Sequence, residues 1–152
     1  MRTISGREEM RELIGTELGI SDWLLVRQKR VDQFAYVSGD DYWIHTDPVR
    51  AKLESPFKAT VAHGFLTLSL VTFLMRQIAH VENCGTAVNY GLDRVRFVSP
   101  VWVGSRIRAR QKLDSVATLE NDSLRVVNDV CIEIDGKDKP ACVAKTLTLY
   151  LP

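Results

Sequence analysis

The segment from His63 to His80 constrains the fold most, because it is the most apolar part of the chain. Its apolar residues fall at almost every angle of a helical wheel: Phe65, Leu66, Leu68, Leu70, Val71, Phe73, Leu74 and Ile78. A helix that is apolar nearly all round must be buried on most of its sides. As a helix the segment would be roughly 27 Å long. We therefore expect one long central helix, surrounded by the rest of the chain.

The C-terminal half changes to the period of a β-strand. In "GSRIRARQKLDSV" the apolar residues Ile107, Ala109 and Leu113 alternate with basic ones, and "SLRVVNDVCIEID" and "ACVAKTLTLYLP" alternate in a similar way. Such segments are typical of half-buried antiparallel strands joined by hairpins. The pattern predicts an α+β protein, with a long antiparallel sheet wrapped around the central helix. Because no linker or repeat interrupts it, we expect residues 1–152 to form a single domain.

The N-terminal half carries shorter signals. An S-x-x-E capping box at Ser5 predicts a helix through about Glu17, and "WLLVRQKRV" predicts a strand. The stretch "VDQFAYVSG" predicts a helix that ends at Gly39, a suitable C-cap residue. Asp47 before Pro48 is a typical N-cap followed by proline at the first helical position, so another helical turn should start there.

Composition excludes several classes of protein. The chain is 45% hydrophobic and 26% charged with a net charge of +1, so no broad field recruits nucleic acid or an anionic membrane. The N-terminus lacks the apolar core of a signal peptide, and "FLTLSLVTFLM" is too short to span a bilayer. The three cysteines are an odd number without C-x-x-C spacing, which argues against zinc and a disulfide framework. Reduced thiols in a cytoplasm fit best.

The stretch "SGDDYWIHTDP" combines acidic residues and a histidine in a segment that predicts neither helix nor strand. Asp40 and His45 are five positions apart, and Gly39 ends the preceding helix, so a loop could bring both side chains to one point. A carboxylate and an imidazole that converge can hold a water between them, one accepting its proton and the other orienting it. Taken alone, a D-x4-H spacing is more often a hydrogen-bonded turn than an acid–base pair.

A second candidate feature lies in "VAHGFLT", which places Gly64 at the start of the central helix. Helix N-termini carry unpaired N–H groups and a partial positive charge, and glycine permits close approach of a carbonyl oxygen. That geometry suits a developing oxyanion. Gly64 could equally relieve crowding where the helix enters the core, and His63 fits a packing or capping role better than a catalytic one.

The two features together describe one reaction. An amide at Gly64 would polarise a conjugated thioester, and Asp40 with His45 would deliver water to its β-carbon.

The chain resembles the MaoC-like (R)-specific enoyl-CoA hydratases and their single-domain NodN-like relatives. The resemblance covers nearly the whole sequence and is carried by "YVSGDDYWIHTDPVRA", "VAHGFLTLSL" and "NYGLDRVRFVSPVWVGSRIRAR". It implies a hot-dog fold, a homodimer, and a CoA thioester bound in a tunnel near the dimer interface. It also implies that Asp40 and His45 are catalytic and that the Gly64 N–H forms the oxyanion hole.

One departure from the family pattern concerns the pocket. The family carries Asn-Pro after the variable position of its signature, where this chain has Tyr42-Trp43. The resemblance therefore predicts substrate contacts at the bulky rings Tyr42 and Trp43 in place of an amide. Further substrate-binding residues that it implies are His63, Phe65, Arg94 and Arg96. Guanidinium groups suit CoA phosphates, although alternating arginines on a strand are more often its solvated face.

Other functions of the same fold stay open. Many hot-dog thioesterases and acyl-carrier-protein dehydratases resemble one another in carrying a carboxylate on the central helix, but residues 61–81 contain no Asp or Glu. Hydration is therefore favoured over both of these activities. Because hydration and dehydration are one reversible reaction, the physiological direction stays open. A weakly catalytic or non-catalytic acyl-thioester-binding protein is the alternative. We expect no metal and no cofactor beyond the CoA of the substrate, because neither ligand spacing nor a phosphate loop is present.

Overall fold

The computed structural model describes residues 1–152 and has fourteen helices and strands. In chain order they are β1 (Arg2–Ile4), α1 (Arg7–Glu12), β2 (Glu17–Ile20), β3 (Leu24–Leu25), α2 (Gln28–Ser38), α3 (Trp43–Thr46), α4 (Pro48–Glu54), α5 (Gly64–Ser69), α6 (Val71–Met75), β4 (Ala79–Val81), β5 (Thr86–Phe97), β6 (Arg106–Thr118), β7 (Leu124–Ile134) and β8 (Cys142–Leu151). None of the helices is long and apolar enough to cross a membrane.

The main sheet is antiparallel and has the strand order β2-β6-β7-β8-β5, with β3 also paired to β6. Strand β7 shows why the chain forms this sheet, since its residues alternate strictly between buried and less buried positions. The buried set faces the core: Leu124, Val126, Asn128, Val130, Ile132 and Ile134. The α+β architecture predicted from the alternating period is confirmed, and the sheet packs around the central helix as expected.

The central helix consists of α5 and α6, which meet at Leu70. Leu70 has helical dihedral angles, and the i→i−4 bonds from Leu70 N–H to Leu66 and from Leu74 N–H to Leu70 carry the helix through the junction. The helix ends at Met75, so the predicted continuation to His80 is wrong. The chain leaves the helix because β4 pairs in parallel with β1, which places His80 in a strand and not at a helix terminus.

The central helix is also less buried than its composition predicts. Leu66 and Leu74 are buried, but Phe65 is 67% exposed and Phe73 is 50% exposed. Both lie on the side that the sheet of this chain leaves uncovered. Strand β5, at the edge of the sheet, is exposed along almost its whole length. A single chain therefore leaves two surfaces uncovered: the apolar side of the central helix that carries Phe65 and Phe73, and the free edge of β5.

Three predictions near the N-terminus are wrong in detail. Helix α1 ends at Glu12 and is followed by β2, because the chain pairs with β6 there. The capping box is not formed: Gly6 is the N-cap, and the backbone and hydroxyl of Ser5 both donate to Glu9. The strand predicted around "WLLVRQKRV" shrinks to β3 because α2 begins at Gln28.

Helices α2 and α4 match the sequence analysis. Gly39 ends α2 in the left-handed region with φ 75°, which glycine adopts readily. Asp47 is the N-cap of α4, and its carboxylate accepts a hydrogen bond from the Arg50 N–H. The predicted helical turn after Asp47 is confirmed. On α2, Val31 and Ala35 are buried, whereas Val37 is exposed.

Candidate functional site

The candidate site begins where α2 ends. The left-handed Gly39 turns the chain away from the helix axis, and Asp40 follows in the connection to α3. The segment predicted to be a loop contains this short helix, and His45 lies in it. The Thr46 hydroxyl donates back to the Asp41 carbonyl and closes the turn. The glycine turn and the one-turn helix together bring Asp40 and His45 to the same place.

The hydrogen bonding of His45 determines which of its nitrogens can act as a base. Its Nδ1 lies 2.7 Å from the carbonyl oxygen of Val61. Because a carbonyl only accepts, Nδ1 must carry the proton, and the neutral ring then has its lone pair on Nε2. The main-chain bond therefore fixes the tautomer in which Nε2 can accept a proton from water.

The electrostatics of His45 favour the same neutral form. Partial burial lowers the pKa of the His45 imidazole below its usual value of 6.5, and nearby His63 adds to this effect. The hydrogen bond to Val61 and the charge of Asp40 act in the opposite direction but do not cancel it. His45 is consequently an unprotonated acceptor at neutral pH, which a general base requires.

Asp40, His45 and His63 form one cluster, in which the potential ligand atoms all lie within 4.8 Å of one another. The structure thus brings together the two residues of the predicted acid–base pair. Asp40 is 54% exposed and His63 is 2% exposed, so the cluster runs from an accessible carboxylate to a buried ring. A reactant could reach Asp40 from solvent while the histidine rings stay fixed in the protein.

His63 is the buried member of the cluster and contacts the main chain of Asp40. Its Nε2 lies 2.8 Å from the main-chain carbonyl oxygen of Asp40 and 4.0 Å from a carboxylate oxygen of the same residue. Since the carbonyl can only accept, Nε2 carries the proton of His63. The other nitrogen, Nδ1, is buried without a hydrogen-bond partner. The sequence indicated packing for His63 and did not reveal its bond to Asp40, because the two are 23 positions apart.

Gly64 is the first residue of α5, directly after His63. No carbonyl or side chain of the protein accepts a hydrogen bond from its N–H, as expected for an N-terminal helical position. A β-carbon at this position would lie 2.8 Å from the ring of Phe97. Because Gly64 has no side chain, the ring of Phe97 can pack over it. The same ring makes an edge-to-face contact with Phe65. The sequence did not single out Phe97 as a site residue.

The aromatic pair that replaces the family amide lies at the rim of the site. Tyr42 is exposed and its ring centroid is 5.6 Å from that of Trp43. The guanidinium of Arg50 lies over the Trp43 ring at 4.4 Å, a cation–π contact that fixes the indole. Both rings are close in sequence to Asp40 and His45. Trp43 is held by Arg50, whereas the exposed ring of Tyr42 is available to contact a ligand.

The predicted arginines do not converge on the cluster. Arg94 has a positive φ of 53° at an irregularity of β5 between Asp93 and Arg96. On a regular strand Arg94 and Arg96 would lie on one side, but the alternation is broken at this irregularity. Arg94 lines a cleft on the sheet with Arg110 and Lys112.

The arginines of β6 are engaged by carboxylates. Arg106 pairs with Asp135, Arg108 pairs with Glu133, and Arg110 pairs with both Glu133 and Glu17. These ion pairs lie on the outward face of the sheet, so the solvated-face interpretation of the alternating arginines is confirmed.

The cluster does not have the geometry of a preformed metal site. His45 uses Nδ1 to donate to Val61, and His63 uses Nε2 to donate to the Asp40 carbonyl. The two rings stack face to face at 3.7 Å and do not point toward a common centre. These bonds leave Nε2 of His45 and Nδ1 of His63 unprotonated, but the stacking holds these two nitrogens in separate ring planes and not around one ion. The arrangement suits proton transfer better than metal coordination.

Comparison with known families gives one match over most of the chain. The family model described as "MaoC like domain" matches residues 9–133. This interval contains Asp40, His45, His63 and Gly64, as well as the complete central helix.

Two curated relatives are similar over most of their length. The chain is 42% identical over 151 residues to 3-hydroxyacyl-thioester dehydratase Z of Mycobacterium tuberculosis (strain ATCC 25618 / H37Rv), covering 99% of each protein. It is also 42% identical over 137 residues to nodulation protein N of Rhizobium leguminosarum bv. viciae, covering 90% of this chain and 85% of that protein.

Among solved structures, the chain is similar to the (R)-hydratase from A. caviae involved in PHA biosynthesis. The TM-score is 0.72 at 22% identity, and the alignment covers 91% of this chain and 96% of that one. The likeness confirms the hot-dog fold that was predicted from the sequence.

Proposed function

The chain belongs to the MaoC-like dehydratases, a family of hydro-lyases, and on this premise we propose that it is an (R)-specific enoyl-CoA hydratase. It would add water reversibly to trans-2-enoyl-CoA thioesters and give 3-hydroxyacyl thioesters. The observation that carries the proposal is the fixed tautomer of His45, whose free Nε2 belongs to the same cluster as the accessible carboxylate of Asp40.

In the proposed reaction Asp40 orients a water molecule, and Nε2 of His45 accepts its proton. The water oxygen bonds to the β-carbon, and the electron pair of the double bond moves toward the thioester as an enolate. The unpaired N–H of Gly64 would stabilise the enolate oxygen. The protonated His45 then returns the proton to the α-carbon, so the product has gained one water and the protein is restored.

His63 is proposed as a positioning residue of this reaction. The sequence resemblance placed it among substrate contacts, but its side chain is 2% exposed and lies behind His45. Its bond to the Asp40 carbonyl anchors the segment that carries the carboxylate. Direct substrate contacts are proposed for the rim residues Tyr42 and Trp43 and for Phe65, which is exposed beside Gly64.

We further propose that the working form is a homodimer. The apolar residues Val88, Leu92, Phe65 and Phe73 are exposed in the single chain. A second copy would cover the free side of the helix and pair with the edge of β5, which removes both unpaired backbone groups and exposed apolar surface. The substrate tunnel would then lie near the interface of the two chains.

The proposed activity is tested by mixing the purified protein with crotonyl-CoA and following the loss of enoyl absorbance. Asp40→Asn and His45→Gln should each lower kcat by at least about a hundredfold, in the range that general acid–base catalysis contributes. Asp41→Asn is the matched control, since it neutralises the neighbouring carboxylate and should keep activity within about twofold of wild type. Circular dichroism verifies that all three variants fold.

Chiral analysis of the 3-hydroxybutyryl product tests the (R) assignment separately. Normal hydration by both Asp40→Asn and His45→Gln would contradict the mechanism. The alternative function, an acyl-thioester-binding protein, is favoured by one observation, the held Trp43 and bulky Tyr42 at the rim. Tight binding of butyryl-CoA without any turnover of crotonyl-CoA by the wild type would select that alternative.

A further inference from the structure

A second cavity lies away from the Asp40 cluster, between α6 and the inner face of the sheet. Its volume is about 370 Å³, and it is bordered on the helix by Val71, Thr72, Met75 and Arg76. The inner face of a sheet that wraps an apolar helix should be apolar, as Val126 and Leu113 are here. Polar side chains of the sheet nevertheless line this cavity, among them Asn89, Gln111, Asn128, Thr146 and Thr148.

Gln111 is the central polar group of this cavity. Its side chain is 5% exposed, and its Nε2 donates to Oδ1 of Asn128 at 3.0 Å. That bond fixes the orientation of the carboxamide, so the acceptor Oε1 has a defined direction. No protein group donates to Oε1, and the hydroxyl of Thr146, which is buried in the same cavity, also lacks a partner. Buried polar groups are normally paired, so Oε1 of Gln111 and the hydroxyl of Thr146 are available to a hydrogen-bonding group of a ligand in the cavity.

The cavity lies on the same side of the central helix as Gly64. Gly64, Leu68 and Thr72 follow one another at four-residue intervals, which places them on one face of a continuous helix. The eight steps of helical rise from Gly64 to Thr72 correspond to about 12 Å along the helix axis. This distance matches a medium-length acyl chain whose thioester lies at Gly64 and whose far end reaches the polar cavity.

We propose that this cavity binds a hydroxyl group at the far end of the acyl chain, so that the preferred substrates are medium-chain enoyl thioesters oxygenated at that end. The inference rests on the proposed function for the position of the thioester. A hydroxyl group has both the donor that Oε1 of Gln111 lacks and the acceptor that Oγ1 of Thr146 lacks. A terminal methyl group satisfies neither, and a site built for a hydroxyl discriminates strongly against the analogue that lacks it.

The test compares kcat/KM for trans-2-decenoyl-CoA with that for its ω-hydroxy derivative. The wild type should prefer the hydroxylated thioester by at least about tenfold, since a hydrogen-bonding site rejects the bare chain. Gln111→Leu and Thr146→Val should each reduce this ratio to about one or below, because they remove the acceptor or the donor. Thr3→Val, at an exposed position of β1, is the matched control and should keep the wild-type ratio.

The outcomes separate this inference from the proposed function. Turnover of crotonyl-CoA and of decenoyl-CoA with no preference for the hydroxylated chain overturns the inference alone. If no enoyl thioester is turned over, the hydratase proposal fails. The inference about the cavity is then tested by comparing the affinities for saturated ω-hydroxydecanoyl-CoA and decanoyl-CoA, for which we expect the same preference of about tenfold. Should Gln111→Leu not fold, Thr146→Val, which keeps the side-chain shape, gives the deciding ratio.

Discussion

The imidazole ring of His63 stacks on that of His45, with ring centroids 3.7 Å apart and an angle of 27° between the planes. Each ring donates to a different main-chain carbonyl, His45 to Val61 and His63 to Asp40. These bonds fix both tautomers and leave Nε2 of His45 free. The stack therefore links His45, the proposed base, to the segment that carries the Asp40 carboxylate, and the three residues are held as a unit.

The first prediction concerns His63 as a positioning residue. His63→Leu removes the bond to the Asp40 carbonyl, and we expect kcat to fall about tenfold to a hundredfold with a small change in KM, since misplacing a catalytic group costs rate more than binding. His63→Gln can still donate through its side-chain amide and should recover part of the loss. Steady-state kinetics with crotonyl-CoA measures kcat and KM separately for each variant. Equal loss in both variants would show that the hydrogen bond does not matter.

The second prediction concerns the pH dependence. The proposed mechanism requires neutral His45, and the pKa of His45 is lowered below 6.5 mainly by burial. Activity is therefore retained through neutral pH and lost as the pH falls below 6.5, when His45 becomes protonated. The acidic limb of a kcat/KM profile for wild-type protein measures this. An acidic limb at 6.5 would indicate a histidine with an undisturbed pKa, and one above 6.5 would show that another group controls the rate.

The same balance of charges predicts opposite effects of two substitutions on His45. The charge of Asp40 raises the pKa of His45, and His63 lowers it. Asp40→Asn should therefore lower the pKa of His45 further, and His63→Leu should raise it. Titration of the His45 ring followed by NMR measures both directly, without relying on catalysis. Shifts in one common direction would contradict the arrangement of the cluster.

The sequence predicted that Asp40 and His45 lie together, but it did not predict the contacts that hold them. The spacing of Asp40 and His45 after Gly39 could be interpreted because all three lie within one short segment. The contacts from Val61 and Phe97 could not, since they depend on how distant segments pack. Each contact is made by a main-chain carbonyl or an ordinary aromatic ring, and such groups leave no distinctive pattern in a sequence.

The fold shows a similar division. The strict alternation in β6, β7 and β8 predicted the sheet, because one face is buried and the other solvated. The end of the central helix was misplaced because apolar residues continue to Ile78, while pairing of β4 with β1 decides where the chain leaves the helix. Periodicity reports which side is buried and does not report a competing strand partner.

The third prediction concerns the contact between Gly64 and Phe97. A β-carbon at residue 64 would lie 2.8 Å from the Phe97 ring, so Gly64→Ala forces that ring to move. We expect Gly64→Ala to destabilise the protein by about 1–3 kcal/mol, the usual cost of overpacking, and to reduce activity. In the double variant Gly64→Ala, Phe97→Leu the smaller side chain should relieve the clash, so the combined loss of stability is less than the sum of the single losses. Urea unfolding measures the free energy of unfolding of the wild type, the two single variants and the double variant. Strictly additive losses would contradict a direct contact between residues 64 and 97.

The fourth prediction concerns the dimer. Strand β5 is an edge strand that pairs only with β8 in this chain, and Leu92 is among its exposed apolar residues. Placing a lysine there introduces a charge into the proposed interface, which edge strands use to prevent association. We expect Leu92→Lys to convert the proposed dimer to monomer and to lower the proposed hydratase activity, because the proposed tunnel lies near the interface of the two chains. Leu53→Lys, at another exposed leucine on α4, is the matched control and should leave a dimer. Light scattering after size exclusion gives the mass of each variant, and a wild type that is monomeric throughout would refute the proposal.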